Sequence, residues 1–144
     1  MIYYEQVNRE KEKVDYKKQG KRNKASGADF EKRTRADLES KGWIISKWQN
    51  NIKEGKCVPA KPGRYRMMQT GFPDFIAYKL DEESPFLVYE VNFVECKSNG
   101  YLKPEEKEKA KWYLNNKYCT SFFVAKKVKE KNRIKIEYKE IIWK

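Results

Sequence analysis

Two adjacent stretches of this chain are rich in β-branched and aromatic residues: Gly-Phe-Pro-Asp-Phe-Ile-Ala-Tyr from Gly71, and Leu-Val-Tyr-Glu-Val-Asn-Phe-Val-Glu-Cys-Lys-Ser from Leu87. The segment between them, Lys-Leu-Asp-Glu-Glu-Ser-Pro from Lys79, has turn composition. This pattern predicts two neighbouring strands joined by a hairpin-like loop, and the rest of the fold must accommodate that pair. Alternate residues of a strand share a face, so Leu87, Tyr89, Val91, Phe93, Glu95 and Lys97 form one row that begins apolar and ends charged. Asp74 opens the other strand directly after Pro73, which is tolerated at a strand's first residue. Antiparallel pairing across the loop brings the start of one strand to the end of the other, where Asp74, Glu95 and Lys97 converge.

Two carboxylates beside a lysine supply oxygen ligands for a hard divalent cation, with Mg²⁺ the natural choice. Such an ion lowers the pKa of a bound water and stabilises charge on a phosphate, while the lysine orients that water or neutralises developing charge. The remaining composition narrows the chemistry. Histidine is absent, which removes Ser-His-Asp and Cys-His catalysis and histidine general bases. Cys57, Cys96 and Cys119 are odd in number and far apart, supporting neither a disulfide framework nor a zinc site. Carboxylates, lysine and metal are left.

With 144 residues, 39% of them hydrophobic and 15% aromatic, the chain is long enough to bury one core and apolar enough to fold. Its 33 Lys and Arg against 21 Asp and Glu, a net charge of +12, favour an anionic partner, most commonly nucleic acid. The sequence has no apolar run of membrane-spanning length and no signal-peptide core, so no membrane association and a cytoplasmic location are expected. No nucleotide cofactor is expected.

Residues 1–25 read as a charged arm or helix and residues 26–144 as a single domain. Within the arm, Lys21, Arg22 and Lys24 suit either a solvated face or contact with phosphates. Ser26 followed by Asp29 has the form of a capping box, after which Phe30, Thr34 and Leu38 make a helical stripe ending at Lys41-Gly42. Glu31 lies beside that stripe, within reach of a site at the edge of the core. Trp43–Trp48 is a strand candidate. Residues 49–70 read as a long loop, part of which suits further strand, with Lys61, Arg64, Tyr65 and Arg66 composed as a nucleic-acid clamp. A helix is expected over Leu102–Lys117, with Trp112 and Tyr113 as packing residues, and strands over Thr120–Lys127 and Arg133–Trp143, parted by a turn at Lys129–Asn132. The fold expected is α/β, a mixed central sheet flanked by helices.

At Pro73-Asp74 and Glu95-Cys96-Lys97 the chain resembles the PD-(D/E)XK nuclease superfamily, and within it the archaeal Holliday junction resolvases and related small endonucleases. Those relatives carry a glutamate on the first helix, matched here by Glu31. The resemblance runs from about Gly27 to Tyr118 and implies a restriction-endonuclease-like core. It also implies Mg²⁺, replaceable by Mn²⁺, held by Asp74, Glu95 and the main-chain carbonyl of Cys96, with Glu31 bound directly or through water, and Lys97 positioning the attacking hydroxide. The implied substrate is branched DNA, in particular four-way junctions cut by a homodimer. Restriction-type cleavage of duplex, nicking of flaps or single strands, and non-catalytic nucleic-acid binding are the alternatives. Many relatives have glutamine in the helix after the Glu-x-Lys strand, where this chain offers Glu105 and Glu106. The bland alternative for Glu95 and Lys97 is an ordinary cross-strand charge pair.

Overall fold

The computed structural model describes residues 15–60 and 71–142. In chain order the elements are α1 (Tyr16–Ser40), β1 (Ile44–Lys47), β2 (Asn50–Lys53), β3 (Lys56–Pro59), β4 (Phe75–Leu80), β5 (Tyr89–Cys96), α2 (Pro104–Asn115), β6 (Ser121–Glu130) and β7 (Arg133–Glu140). Five strands form one mixed sheet in the order β1-β4-β5-β6-β7, and β2 and β3 pair separately. The expected hairpin is present: β4 and β5 are antiparallel, with Phe75 opposite Val94 and Leu80 opposite Tyr89. β5 and β6 are parallel, joined through α2, and the other neighbours are antiparallel.

Both faces of the sheet are covered, so the consecutive β5 residues Phe93 and Val94, which point to opposite faces, are both buried. Phe93, Phe122 and Val124 pack with Leu102, Ala110 and Tyr113 on the α2 side. Their sequence neighbours Val94 and Ala125 turn to the other face and pack with Phe30, Leu38, Ile45, Phe75 and Ala77 beneath α1. Each fully buried large side chain contributes about 1.5–3 kcal/mol of apolar transfer. No helix among the described residues is long and apolar enough to cross a membrane.

Three expectations are corrected and one open alternative is settled. α1 is capped by Asp15, whose side chain accepts the Lys17 and Lys18 N–H groups, so Ser26 lies inside a continuous helix and not at its start, and the helix runs through the expected boundary at residue 25. Asp29 pairs with Arg33 one turn on, at 2.9 Å. Of the two readings of residues 49–70, loop or in part further strand, the second holds for residues 50–59, which form the β2–β3 hairpin turned by Glu54 and Gly55 at φ +53° and +70°. β6 continues to Glu130, and the turn to β7 is two residues, Lys131 and Asn132, both at positive φ, the backbone of a tight hairpin. Finally, Leu87 and Tyr89, expected on the core face, are exposed at 80% and 45%, because the row enters the core only near Phe93.

Candidate functional site

Strand order decides what meets at the end of the sheet where β4 begins and β5 ends. Trp48, just past β1, donates its backbone N–H to the Asp74 carbonyl at 3.1 Å. Tyr113 from α2 donates its hydroxyl to the Phe72 carbonyl at 2.7 Å and accepts from the Trp48 indole at 3.2 Å. A Cβ at Gly71 would collide with the Trp48 carbonyl, so this close approach of backbones requires glycine. The chain entering Asp74 is therefore clamped from both sides.

The Asp74 carboxylate accepts the Cys96 backbone N–H at 2.8 Å, crossing from β4 to β5. Glu95, only 5% exposed, hydrogen-bonds Asp74 side chain to side chain. Burial, that hydrogen bond and the charges of Asp74 and Glu106 push the Glu95 carboxyl well above the usual range, against the opposing pull of Lys97. A buried carboxyl group beside a second carboxylate favours its protonated form, and a bound cation would oppose that preference. Glu31 approaches from α1: burial and then the Asp74 charge raise its pKa, while Lys47, at the end of β1, lowers it. The structure thus brings together Glu31, Asp74, Glu95 and Lys97.

Lys97 lies between two acids. Its ammonium stands 2.8 Å from the Glu106 carboxylate and 3.8 Å from Glu95. Burial pulls the lysine down, but the Glu106 hydrogen bond and the charges of Glu95, Glu106 and Asp74 outweigh it, so Lys97 is raised and carries its proton. Glu106 is itself fixed, its other oxygen accepting the Lys103 backbone N–H at 2.9 Å as the third-residue partner in the capping box of α2. Burial raises Glu106, yet hydrogen bonds from Lys97 and Lys103 and the lysine's charge bring it below its ordinary value. The sequence offers Glu106 only where many relatives have glutamine and gives it no role; its place three residues after Lys103, at the start of α2, is the capping-box signal that tethers it.

Cys96 packs on the α1 face beside the buried Thr34, and its thiol is pushed up chiefly by burial and next by the Asp74 charge. A thiol held protonated is a poor metal ligand. Among the described residues no three His, Cys, Asp or Glu side chains are grouped to enclose an ion. The acidic oxygens nearest one another are those of Asp74 and Glu95, with Glu31 close enough to feel the Asp74 charge. Carboxylate oxygens are the donors that hard cations such as Mg²⁺ take, usually with several waters kept.

Of the expected nucleic-acid contacts, Lys21, Arg22 and Lys24 are exposed on α1. They lie about two to three helical turns before Glu31, with Lys21 about 15 Å from it along the axis. Lys61, Arg64, Tyr65 and Arg66 lie outside the described residues. Comparison with known proteins finds no matching family model, no similar curated protein and no matching solved structure.

Proposed function

We propose that this protein is a metal-dependent endodeoxyribonuclease, hydrolysing phosphodiester bonds at Asp74, Glu95 and Lys97, with Glu31 in support. The observation that carries this reading is the contact between Asp74 and Glu95 at one sheet end, with a charged lysine 3.8 Å from the buried member. An ordinary cross-strand charge pair does not account for a second carboxylate pressed against the first. The mixed sheet with a helix on each face is also the arrangement expected of a restriction-endonuclease-like core.

Asp74 and Glu95 would hold Mg²⁺ or Mn²⁺, with the Cys96 carbonyl as a further ligand and Glu31 acting through water. When bound, the ion supplies a water of lowered pKa and positive charge at the phosphate. The chain's own groups do the rest. Asp74 bonds both to the neighbouring backbone and to Glu95, which fixes the carboxylates relative to each other. Lys97, kept protonated, acts as a donor that orients the attacking hydroxide or stabilises charge on the phosphate, not as a general base. Branched DNA cut by a homodimer is the substrate the sequence resemblance favours, since paired incisions suit two sites related by two-fold symmetry.

The test is Mg²⁺-dependent cleavage of a labelled four-way junction beside linear duplex, flap and single strand. Glu95→Ala is expected to abolish cleavage. Lys97→Ala should lower the rate about 10²–10³-fold with folding and DNA binding kept. Symmetric nicks in the junction alone establish a resolvase, and cutting of another substrate keeps the chemistry and changes the biology. No cleavage with Mg²⁺ or Mn²⁺ despite tight binding overturns the reading in favour of a non-catalytic binding protein.

A further inference from the structure

The net charge of +12 is not spread over the molecule. Residues 16–28 carry Lys17, Lys18, Lys21, Arg22 and Lys24 with no acid, and residues 126–135 carry Lys126, Lys127, Lys129, Lys131, Arg133 and Lys135 with Glu130 the single acid. These 23 residues hold eleven of the 33 basic and one of the 21 acidic side chains, so everything else is close to neutral, 22 against 20.

Topology sends both segments the same way. β6 runs parallel to β5 but continues five residues past it, Lys126–Glu130, before turning into β7. At about 3.3 Å per residue the hairpin extends about 17 Å beyond the strand that carries Glu95. α1 runs against β5: its C-terminal end meets Lys79 on the far side through the Lys41 carbonyl, and Glu31 stands near Asp74. Its first fourteen residues, Tyr16–Asp29, therefore project about 20 Å past the same sheet end. All fourteen are exposed.

A helix segment that is exposed throughout, contains Gly20 and Gly27, and buries no side chain against the other described residues has little among them to hold it beyond its cap and continuity with the packed half. Polyanion binding supplies what is missing. Between the packed C-terminal half of α1 and the hairpin lies an open groove of about 870 Å³, lined by Arg33, Lys41, Lys131, Arg133 and Lys135 with the acids Asp37 and Glu130. Tyr16 is the one aromatic side chain on either arm. Single-strand binders interleave charge with stacking aromatics, so arms of nearly pure charge suit the phosphates of a duplex.

We propose that the N-terminal half of α1 and the β6–β7 hairpin are two arms that grip the phosphate backbones of double-stranded nucleic acid on either side of the carboxylate site. The proposal rests on reading that site as one acting on nucleic acid, and its test measures binding without cleavage so that the two fail separately.

The experiment is a salt titration of binding to a fluorescein-labelled duplex in EDTA. Wild type is compared with Lys17→Gln/Lys21→Gln/Lys24→Gln on the helix, Lys127→Gln/Lys129→Gln/Arg133→Gln on the hairpin, and Lys53→Gln/Lys107→Gln/Lys117→Gln as a charge-matched control. Each arm variant should weaken binding about tenfold or more at moderate salt and lower the slope of log K against log[salt] by about 2–3, while the control moves neither comparably. Circular dichroism shows whether each variant stays folded, and single Lys21→Gln and Lys129→Gln variants, each lowering the slope by about 1, replace any triple that does not. Arm variants indistinguishable from the control overturn the proposal, as does wild-type preference for single strand or for anionic lipid vesicles over duplex. Cleavage by a wild type whose arm variants bind normally sinks the arms and spares the nuclease. Arm-dependent binding without any cleavage does the reverse.

Discussion

The two ends of the central sheet are built from the same kind of part, a β-hairpin, and differ in almost every physical respect. At the β4–β5 turn the chain places Asp81, Glu82 and Glu83 beside Phe86 and Leu87, which are 76% and 80% exposed. At the opposite end the β6–β7 turn is two residues long and its flanks are basic, next to a cluster of half-buried and buried acids. One end exposes apolar groups and negative charge, and the other buries negative charge and exposes positive charge. Burying a carboxylate is costly unless something compensates, and the proposed cation would supply that compensation at the site end, whereas the acidic turn is ordinary solvated surface.

The largest effect that sharpens this contrast beyond the metal-site variants is at Glu106. If it holds Lys97 in place, Glu106→Ala should lower cleavage about 10–100-fold with duplex binding unchanged, a loss within the range for a misplaced catalytic group. The sign of the pH effect follows from the lysine's raised value: without Glu106 the ammonium loses its proton at lower pH, so the alkaline limb of the rate profile moves down. Glu106→Gln, which keeps one accepting oxygen, should restore part of the rate. A profile that falls in height without shifting would mean that Glu106 serves only the capping box of α2.

Next is Tyr113→Phe. The hydroxyl donates to the Phe72 carbonyl and accepts from Trp48, in a buried position, so its loss leaves that carbonyl unpaired at a cost of about 1–3 kcal/mol. Urea unfolding measures this, and cleavage should fall as well because the same bonds frame the approach to Asp74. Stability lost with full activity retained would show that Asp74 is positioned by β4 and Cys96 alone.

These contacts separate what was legible in the sequence from what was not. Asp74, Glu95 and Lys97 were legible because strand parity and one local hairpin are enough to bring them together, without knowledge of the remaining sheet. Glu31 needed only the helix stripe that buries Phe30, Thr34 and Leu38. The start of α1 was not legible, since its first fourteen residues have no apolar side to report a period and Ser26 imitates a cap. The β2–β3 hairpin was hidden because its four-residue strands are too short to alternate convincingly and its turn uses Glu54 at positive φ. Leu87 looked like core because pattern alone cannot say where the covering helices stop.

A smaller effect tests whether the buried carboxyl is held for an ion. Glu95 is raised well above its ordinary value by burial and Asp74, so the fold favours its protonated form. Its contribution is intact below the ordinary carboxyl range and is lost as pH rises through the raised value. Glu95→Gln mimics the protonated form, so in EDTA it should melt several degrees above wild type at pH 8, and the gap should close as pH falls towards 5. Mg²⁺ should narrow the gap at pH 8 by stabilising wild type more than the variant. A gap that ignores both pH and Mg²⁺ would remove the case for a compensating cation.

The smallest effect belongs to the other end. Phe86 and Leu87 leave most of their surface in water, so little apolar burial is lost when they are replaced, and Phe86→Ser/Leu87→Ser should change stability by no more than about 0.5 kcal/mol. Cleavage and duplex affinity should also hold, because the turn lies across the length of β4 and β5 from Asp74 and carries the wrong charge for phosphate. The same variant compared with wild type by sedimentation gives the informative outcome. If it shifts the chain from dimer to monomer, the exposed pair is the buried centre of an interface between copies, and the contrast between the ends becomes one between a face that binds phosphate and a face that binds protein.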